Sequence, residues 1–216
     1  MDQVMKWDYE NKAKEIVDIL NKYKFDAIYA PSSEDAKALV EKMLPDGASI
    51  AVGGSVTLNE TGILPEVIRS PKYNFIDRYN AGSYENMLEL YRVGLTSDVF
   101  VTSVNAVTRE GQLVCIDCTG NRISSLIFGP KKVIVIVGVN KIVDTLDEAI
   151  KRCRKIAPLN ARRIPHKDTP CYEDGVCRRE VCDMKARVCN AIGIVDGCHY
   201  FPGRISVIVV PEVLGY

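Results

Sequence analysis

The residues of this chain with the greatest chemical potential lie between positions 98 and 141, in DVFVTSVNAVTREGQLVCIDCTGNRISSLIFGPKKVIVIVGVNK. There Asn105, Glu110, Asp117, Gly120, Asn121, Arg122, Asn140 and Lys141 punctuate apolar runs of strand length. Glu110 and Asp117 are the candidate acid-base pair, because proton transfer requires a carboxylate held near its substrate. Glu110 precedes Gly111 in what also reads as an ordinary hairpin turn, where a solvated acid is common. Asp117 closes LVCID and can serve a site, cap a helix beginning near Asn121, or do both. Arg122 and Lys141 fall at strand-end corners, where they would match the charge of an anion. An arginine at a helix start opposes the helix dipole unless an anion is nearby. Asn105 and Asn121 either hydrogen-bond a ligand or brace their own loops.

A second constellation is Gly53, Gly54, Ser55 and Thr57, where the apolar run SIAVGG enters a short helical segment. Thr57 and Glu60 have capping-box spacing, which makes Glu60 a capping residue rather than a base. Backbone amides freed at such a turn can hold a phosphate or carboxylate. The plainer reading is a tight β-α turn, since Gly-Gly-Ser lacks the spacing of dinucleotide or P-loop fingerprints.

Cysteine supplies the third. Cys171, Cys177, Cys182, Cys189 and Cys198 are separated by five, four, six and eight residues. Soft thiolates in a short segment favour zinc or an iron-sulfur cluster, and Cys171, Cys177, Cys182 and Cys189 are the candidate ligands. Neither paired zinc-ribbon spacing nor the tight ferredoxin run is present, so reduced thiols or air-formed disulfides are the competing reading. Cys115 and Cys118 form a C-x-x-C, but a mid-strand first sulfur lacks a redox context, so two small buried thiols are expected. His199 is expected to be a loop histidine, and His166 to carry no role.

The elements that must position these groups follow from hydrophobic periodicity. Tyr9, Ala13, Ile16, Val17, Leu20 and Tyr23 recur at helical spacing. FDAIYA is a strand closed by Pro31, and Ala36, Leu39, Val40 and Met43 form the next helical face. A strand is expected around positions 73–76, and Ser83 caps a helix bearing Tyr84, Met87, Leu88, Tyr91 and Leu95. Asp144 can cap a further helix that Pro158 stops. Positions 160–203 read as a loop-dominated excursion, after which ISVIVV returns to the sheet. Alternating strands and helices predict an α/β fold, a mostly parallel doubly wound sheet with helices on both faces.

With 216 residues the chain has room for one sizeable core, divided as an N-terminal helix (1–24), an α/β core (25–159), the cysteine-rich excursion (160–203) and a final strand (204–216). Its 28 basic and 28 acidic residues cancel, so no global field attracts nucleic acid or an anionic membrane. No apolar run reaches membrane-spanning length, and the start lacks a signal-peptide core. A cytoplasmic location is expected, and a homo-oligomer is compatible with the sequence.

NAVTREGQLVCIDCTGNR, followed by IFGPKKVIVIVGVNKIV, strongly resembles the LUD-domain proteins, the lactate-utilisation family that includes LutC-like proteins. AVGGSVTLNETGIL, RCRKIAPLNARR, TPCYEDGVC and GRISVIVVPEVLGY extend the resemblance over nearly the whole chain. It implies a NagB/RpiA/CoA-transferase-like fold, a three-layer sandwich. It also implies a link to oxidation of L-lactate to pyruvate beside iron-sulfur partner subunits, with a small anionic metabolite as ligand. The cysteine segment resembles that of a subset of the family. A free-standing isomerase or transferase acting on a phosphosugar or acyl-CoA, and a non-catalytic metabolite sensor, are the alternatives.

Overall fold

The structure, a computed structural model, describes residues 2–164, 169–178, 182 and 187–216. Its elements in chain order begin with α1 (Gln3–Lys22), β1 (Asp26–Tyr29), α2 (Ser33–Met43), β2 (Ser49–Val52) and α3 (Val56–Glu60). A wide π-type turn (Ile63–Ile68), β3 (Asn74–Phe75) and α4 (Tyr84–Gly94) lead to β4 (Val99–Thr102), β5 (Ala106–Thr108), β6 (Leu113–Asp117) and α5 (Asn121–Ile127). The chain ends through β7 (Lys132–Gly138), β8 (Ile142–Val143), α6 (Leu146–Arg163), α7 (Pro170–Asp174), β9 (Ala191–Val195) and β10 (Ile205–Val210).

Six strands form an all-parallel sheet in the order β1-β10-β7-β4-β2-β3, flanked by helices as the alternation of elements predicts. Successive side chains of a strand point to opposite faces. In β7, Val133, Val135 and Val137 join Ala13, Ile16 and Leu20 of α1 in one core. Ile134 and Ile136 face the other way, against Ala36 and Val40 of α2 and Ile63 and Ile68 of the π-type turn. Both faces are buried, which explains why this strand is apolar without alternation. Each such side chain contributes roughly 1.5–3 kcal/mol.

The opening stretch is divided between two sheets. After Thr102 the chain leaves the parallel sheet, and β5 and β6 belong to a second sheet ordered β8-β5-β6-β9. The Ser103 hydroxyl fixes the departure by donating to the Ile136 carbonyl at 2.6 Å. One face of this sheet (Val107, Leu113, Cys115) completes the α1 core, and the other (Ala106, Val114, Ile116) lies under Ala149 and Cys153 of α6.

Local expectations are corrected at four points. The cysteine-rich excursion is not all loop, because β9 pairs antiparallel with β6 from Leu113↔Val195 to Asp117↔Ala191. Pro158 does not stop α6, which continues to Arg163, with Ala157, Pro158 and Ala161 all buried. Tertiary burial there offsets the one hydrogen bond that proline removes. Thr145, not Asp144, caps α6 by accepting from the Glu148 amide, and Ser55, not Thr57, caps α3 by accepting from the Leu58 amide. Ser32 and Ser83 cap α2 and α4 as their positions suggest. Among the described residues, no helix is long and apolar enough to cross a membrane.

Candidate functional site

The segments that follow β2, β4, β6 and β7 converge on a cavity of about 550 Å³. It therefore sits beyond the carboxyl ends of strands, where α/β sheets hold ligands. Gly54, Ser55, Thr57, Asn105, Asp117, Asn121, Arg122 and Lys141 all line it, so both sequence constellations meet in one place. Gly53 and Gly120 support it from outside the wall. A Cβ on Gly53 would sit 2.4 Å from Thr102 Oγ1, and Gly120 adopts φ 80°, the left-handed turn that starts α5.

Arg122 is not a surface arginine at a helix start. Its side chain is 11% exposed and its Nη2 donates to Asp117 Oδ1 at 2.8 Å, to Asn105 Oδ1 at 2.6 Å and to the Ile116 carbonyl at 2.9 Å. Its Nε donates to Asp117 Oδ1 at 3.0 Å and its Nη1 to the Ser103 carbonyl at 3.0 Å. One Nη1 hydrogen is left uncommitted among the described residues. Asp117 Oδ2 meanwhile accepts from the Ile123 amide at 2.9 Å, so this carboxylate both holds the arginine and receives an amide in the first turn of α5. Asn105 Oδ1 also accepts from the Ile116 amide at 2.9 Å, which ties β6 to the crossover from β4. The network is a brace across two sheets.

Lys141 is 3% exposed, and its Nζ donates to Thr57 Oγ1 at 2.7 Å and Ser103 Oγ at 2.8 Å. Burial pushes it down to about 7, and the neighbouring Arg152 and Arg122 charges act in the same direction. Asn140 and Glu60 hold the end of the chain over this region: the Leu214 amide donates to Asn140 Oδ1 at 3.1 Å, and the Gly215 amide donates to Glu60 Oε2 at 2.6 Å. Glu60 is thus a tertiary clamp rather than half of a capping box.

Sequence reasoning passes over two cavity arginines. Arg78 follows β3, and its Nη1 donates to Tyr91 Oη at 2.6 Å while its buried Nε finds no hydrogen-bond partner among the described residues. Arg163, an exposed residue at the cavity edge, reaches it only because α6 continues past Pro158, and partial desolvation there pulls it below the ordinary arginine range. Both converge on Gly54, where a Cβ would lie 2.7 Å from Arg78 Nη2 and 3.7 Å from Arg163 Nη2. Among the described residues, neither arginine nor Lys141 has a carboxylate partner, whereas Arg122 has Asp117. The strand-end position of Arg78 was a usable signal; Arg163 had none.

Glu110 stands apart. It occupies the turn between β5 and β6, and its Oε2 accepts from the Leu146 amide at the start of α6. Cys115 is buried, with its thiol pushed up to about 11 by burial, while Cys118 is half-buried, lines the cavity and donates to the Arg187 carbonyl at 3.3 Å. His199 meets Tyr23 edge-on, and His166 lies outside the described residues.

Cys171, Cys177, Cys182 and Cys189 line a second, smaller cavity of about 80 Å³ together with Arg154, Arg178 and Arg187. Ile116 and Ala157 line both cavities and so form a shared wall. Cys198 is elsewhere, buried and donating to the Phe201 carbonyl at 2.8 Å. Among the described residues, no group of three or more His, Cys, Asp or Glu side chains is arranged to hold a metal ion.

The fold has counterparts among solved structures. A DUF162 family protein from Deinococcus radiodurans superposes with a TM-score of 0.51 at 12% identity, covering 94% of this chain and 98% of that one. Partial likenesses extend to eIF2B beta from Chaetomium thermophilum (TM-score 0.37, 13% identity, 62% of this chain and 47% of that one). Ribose 5 phosphate isomerase A from Neisseria gonorrhoeae is similar to a comparable extent (TM-score 0.33, 14% identity, 63% and 56%). At 12% identity the likeness to the DUF162 family protein concerns the fold alone. No curated protein sequence matches this one. The LUD domain model matches residues 13–210, and the chain belongs to the LUD domain family.

Proposed function

We propose that the large cavity binds a small carboxylate and that the protein acts, as a LUD-type subunit, in oxidation of L-lactate to pyruvate beside iron-sulfur partner subunits. The observation that carries the binding reading is a charge imbalance. Arg78, Arg163 and Lys141 face one cavity in which, among the described residues, the one lining acidic side chain, Asp117, is already paired with Arg122. Lys141 is buried, Arg78 half-buried and Arg163 exposed at the cavity edge, so an anion between them gains charge-assisted hydrogen bonds from all three. The cavity also suits a small ligand in volume. Thermal-shift measurements with L-lactate and pyruvate, against phosphosugars and CoA esters, test this directly. A saturating ligand at a hundredfold excess over its Kd adds about 2.7 kcal/mol of stability. Selective stabilisation by phosphosugars or CoA esters would favour the isomerase-like or transferase-like alternative instead. Binding without turnover, alone or with partner subunits, would favour a sensor.

The cysteine cavity extends the proposal. Cys171, Cys177, Cys182 and Cys189 are the residues that would hold zinc or an iron-sulfur cluster, and such a cluster would supply electron transfer. Four thiols on one small cavity fit the soft donor set, and Arg154, Arg178 and Arg187 would offset thiolate charge. Among the described residues these side chains do not stand as a ligand set, so metal capture requires them to move together. Anaerobic purification with metal analysis and a visible spectrum decides the point; a colourless, metal-free protein sinks it.

A further inference from the structure

The large cavity contains a nucleophile that anion binding alone does not use. Lys141 Nζ donates to Thr57 Oγ1 and Ser103 Oγ, and each hydroxyl has its own hydrogen committed elsewhere. Ser103 Oγ donates to the Ile136 carbonyl at 2.6 Å, and Thr57 Oγ1 donates to the Leu214 carbonyl at 3.3 Å. Both oxygens must therefore accept from the lysine. An ammonium has three hydrogens and finds two acceptors here; among the described residues nothing takes the third. A neutral amine has two hydrogens and one lone pair, so the same geometry satisfies its hydrogens and leaves the lone pair free. The charged groups that face it agree. Arg152 and Arg122 oppose a third positive charge, Glu60 counters them weakly, and burial acts most strongly of all. Arg78 and Arg163 add further positive charge to the cavity, and Asp117 is tied to Arg122. A desolvated lysine beside other cations is the recognised setting of an amine nucleophile.

We infer that Lys141 forms an imine with a small 2-oxo acid whose carboxylate is held by the arginines of the same cavity. The inference rests on the reading that this cavity takes a small carboxylate. The Nζ lone pair attacks the keto carbon; a C–N bond forms and the C=O π pair moves to oxygen, which takes up a proton. That oxygen then leaves as water with the second amine hydrogen, and a C=N bond remains. Amine and ketone give imine and water, with no oxidant or reductant. The imine makes hydrogens on the adjacent carbon acidic, a capacity that a purely electrostatic site lacks.

The test uses the full chain with pyruvate as probe, sodium borohydride to reduce any imine to a stable secondary amine, and peptide mapping by mass spectrometry. The expected result is one adduct on Lys141, absent with L-lactate, which has no ketone, and absent in Lys141→Met or Lys141→Arg. Its yield should rise as pH increases through about 7. Mapping on the unmodified protein keeps the test decisive even where a variant folds poorly. Stabilisation by pyruvate with no adduct at Lys141 overturns the inference while leaving carboxylate binding intact. Neither stabilisation nor adduct overturns both, and labelling scattered over surface lysines overturns the imine.

Discussion

Asp117 and Arg122 close a 2.8 Å ion pair across the β6–α5 corner, with the acid side chain 6% exposed and the arginine 11%. Removing one member leaves the other charged, buried and unpaired, so Arg122→Ala or Asp117→Asn should lower stability by about 3–5 kcal/mol. Arg122→Lys should not rescue it, because an ammonium cannot reproduce the guanidinium's geometry. Urea denaturation monitored by circular dichroism measures the loss. A change below about 1 kcal/mol would contradict the bracing role.

Arg163→Ala should leave the fold nearly intact while weakening carboxylate binding. Its one described hydrogen bond runs to Asn160 within the same helix, at 3.2 Å. Loss of a charge-assisted contact of about 1.5–3 kcal/mol corresponds to roughly a tenfold to hundredfold rise in Kd. Calorimetric titration with L-lactate and pyruvate reads this, and unchanged affinity would remove Arg163 from the site.

The two adjacent glycines should respond differently to alanine. In Gly53→Ala the new methyl meets Thr102 Oγ1 and Cβ inside the packed sheet end, so a loss of about 1–3 kcal/mol is expected. In Gly54→Ala it meets the far ends of Arg78 and Arg163, which can swing away, so stability should hold while anion affinity falls. Parallel melting and titration of the two variants separate support from contact.

Lys141 should imprint itself on the pH dependence of stability. Its folded-state value of about 7 lies below the ordinary 10.5, so between these values the unfolded state binds more protons. Stability therefore rises with pH through that window, by at most about 1.4 kcal/mol per pH unit from this group, and its contribution is flat below 7. The wild-type minus Lys141→Met difference should show this slope between pH 7 and 9.5. A flat difference would mean that the lysine is charged when folded.

The amino-acid sequence by itself determined the elements whose information is local. The apolar runs of β7 and β10 read as buried strands, Ser32 and Ser83 marked real helix starts, and the alternation of strands and helices implied the parallel sheet. It also brought forward Gly54, Ser55, Thr57, Asn105, Asp117, Asn121, Arg122 and Lys141, because strand ends are where this architecture exposes polar groups. Only the tertiary structure decided what those groups do. Arg122 is a brace because Asp117 and Asn105 surround it, and Lys141 is pulled down to about 7 by burial and by two arginines contributed from distant positions. The passage of α6 through Pro158, which delivers Arg163, and the pairing of β9 with β6 depend on burial against other elements. Spacing along a chain reports periodicity and local hydrogen bonding, whereas desolvation and charge balance are sums over neighbours that only folding brings together.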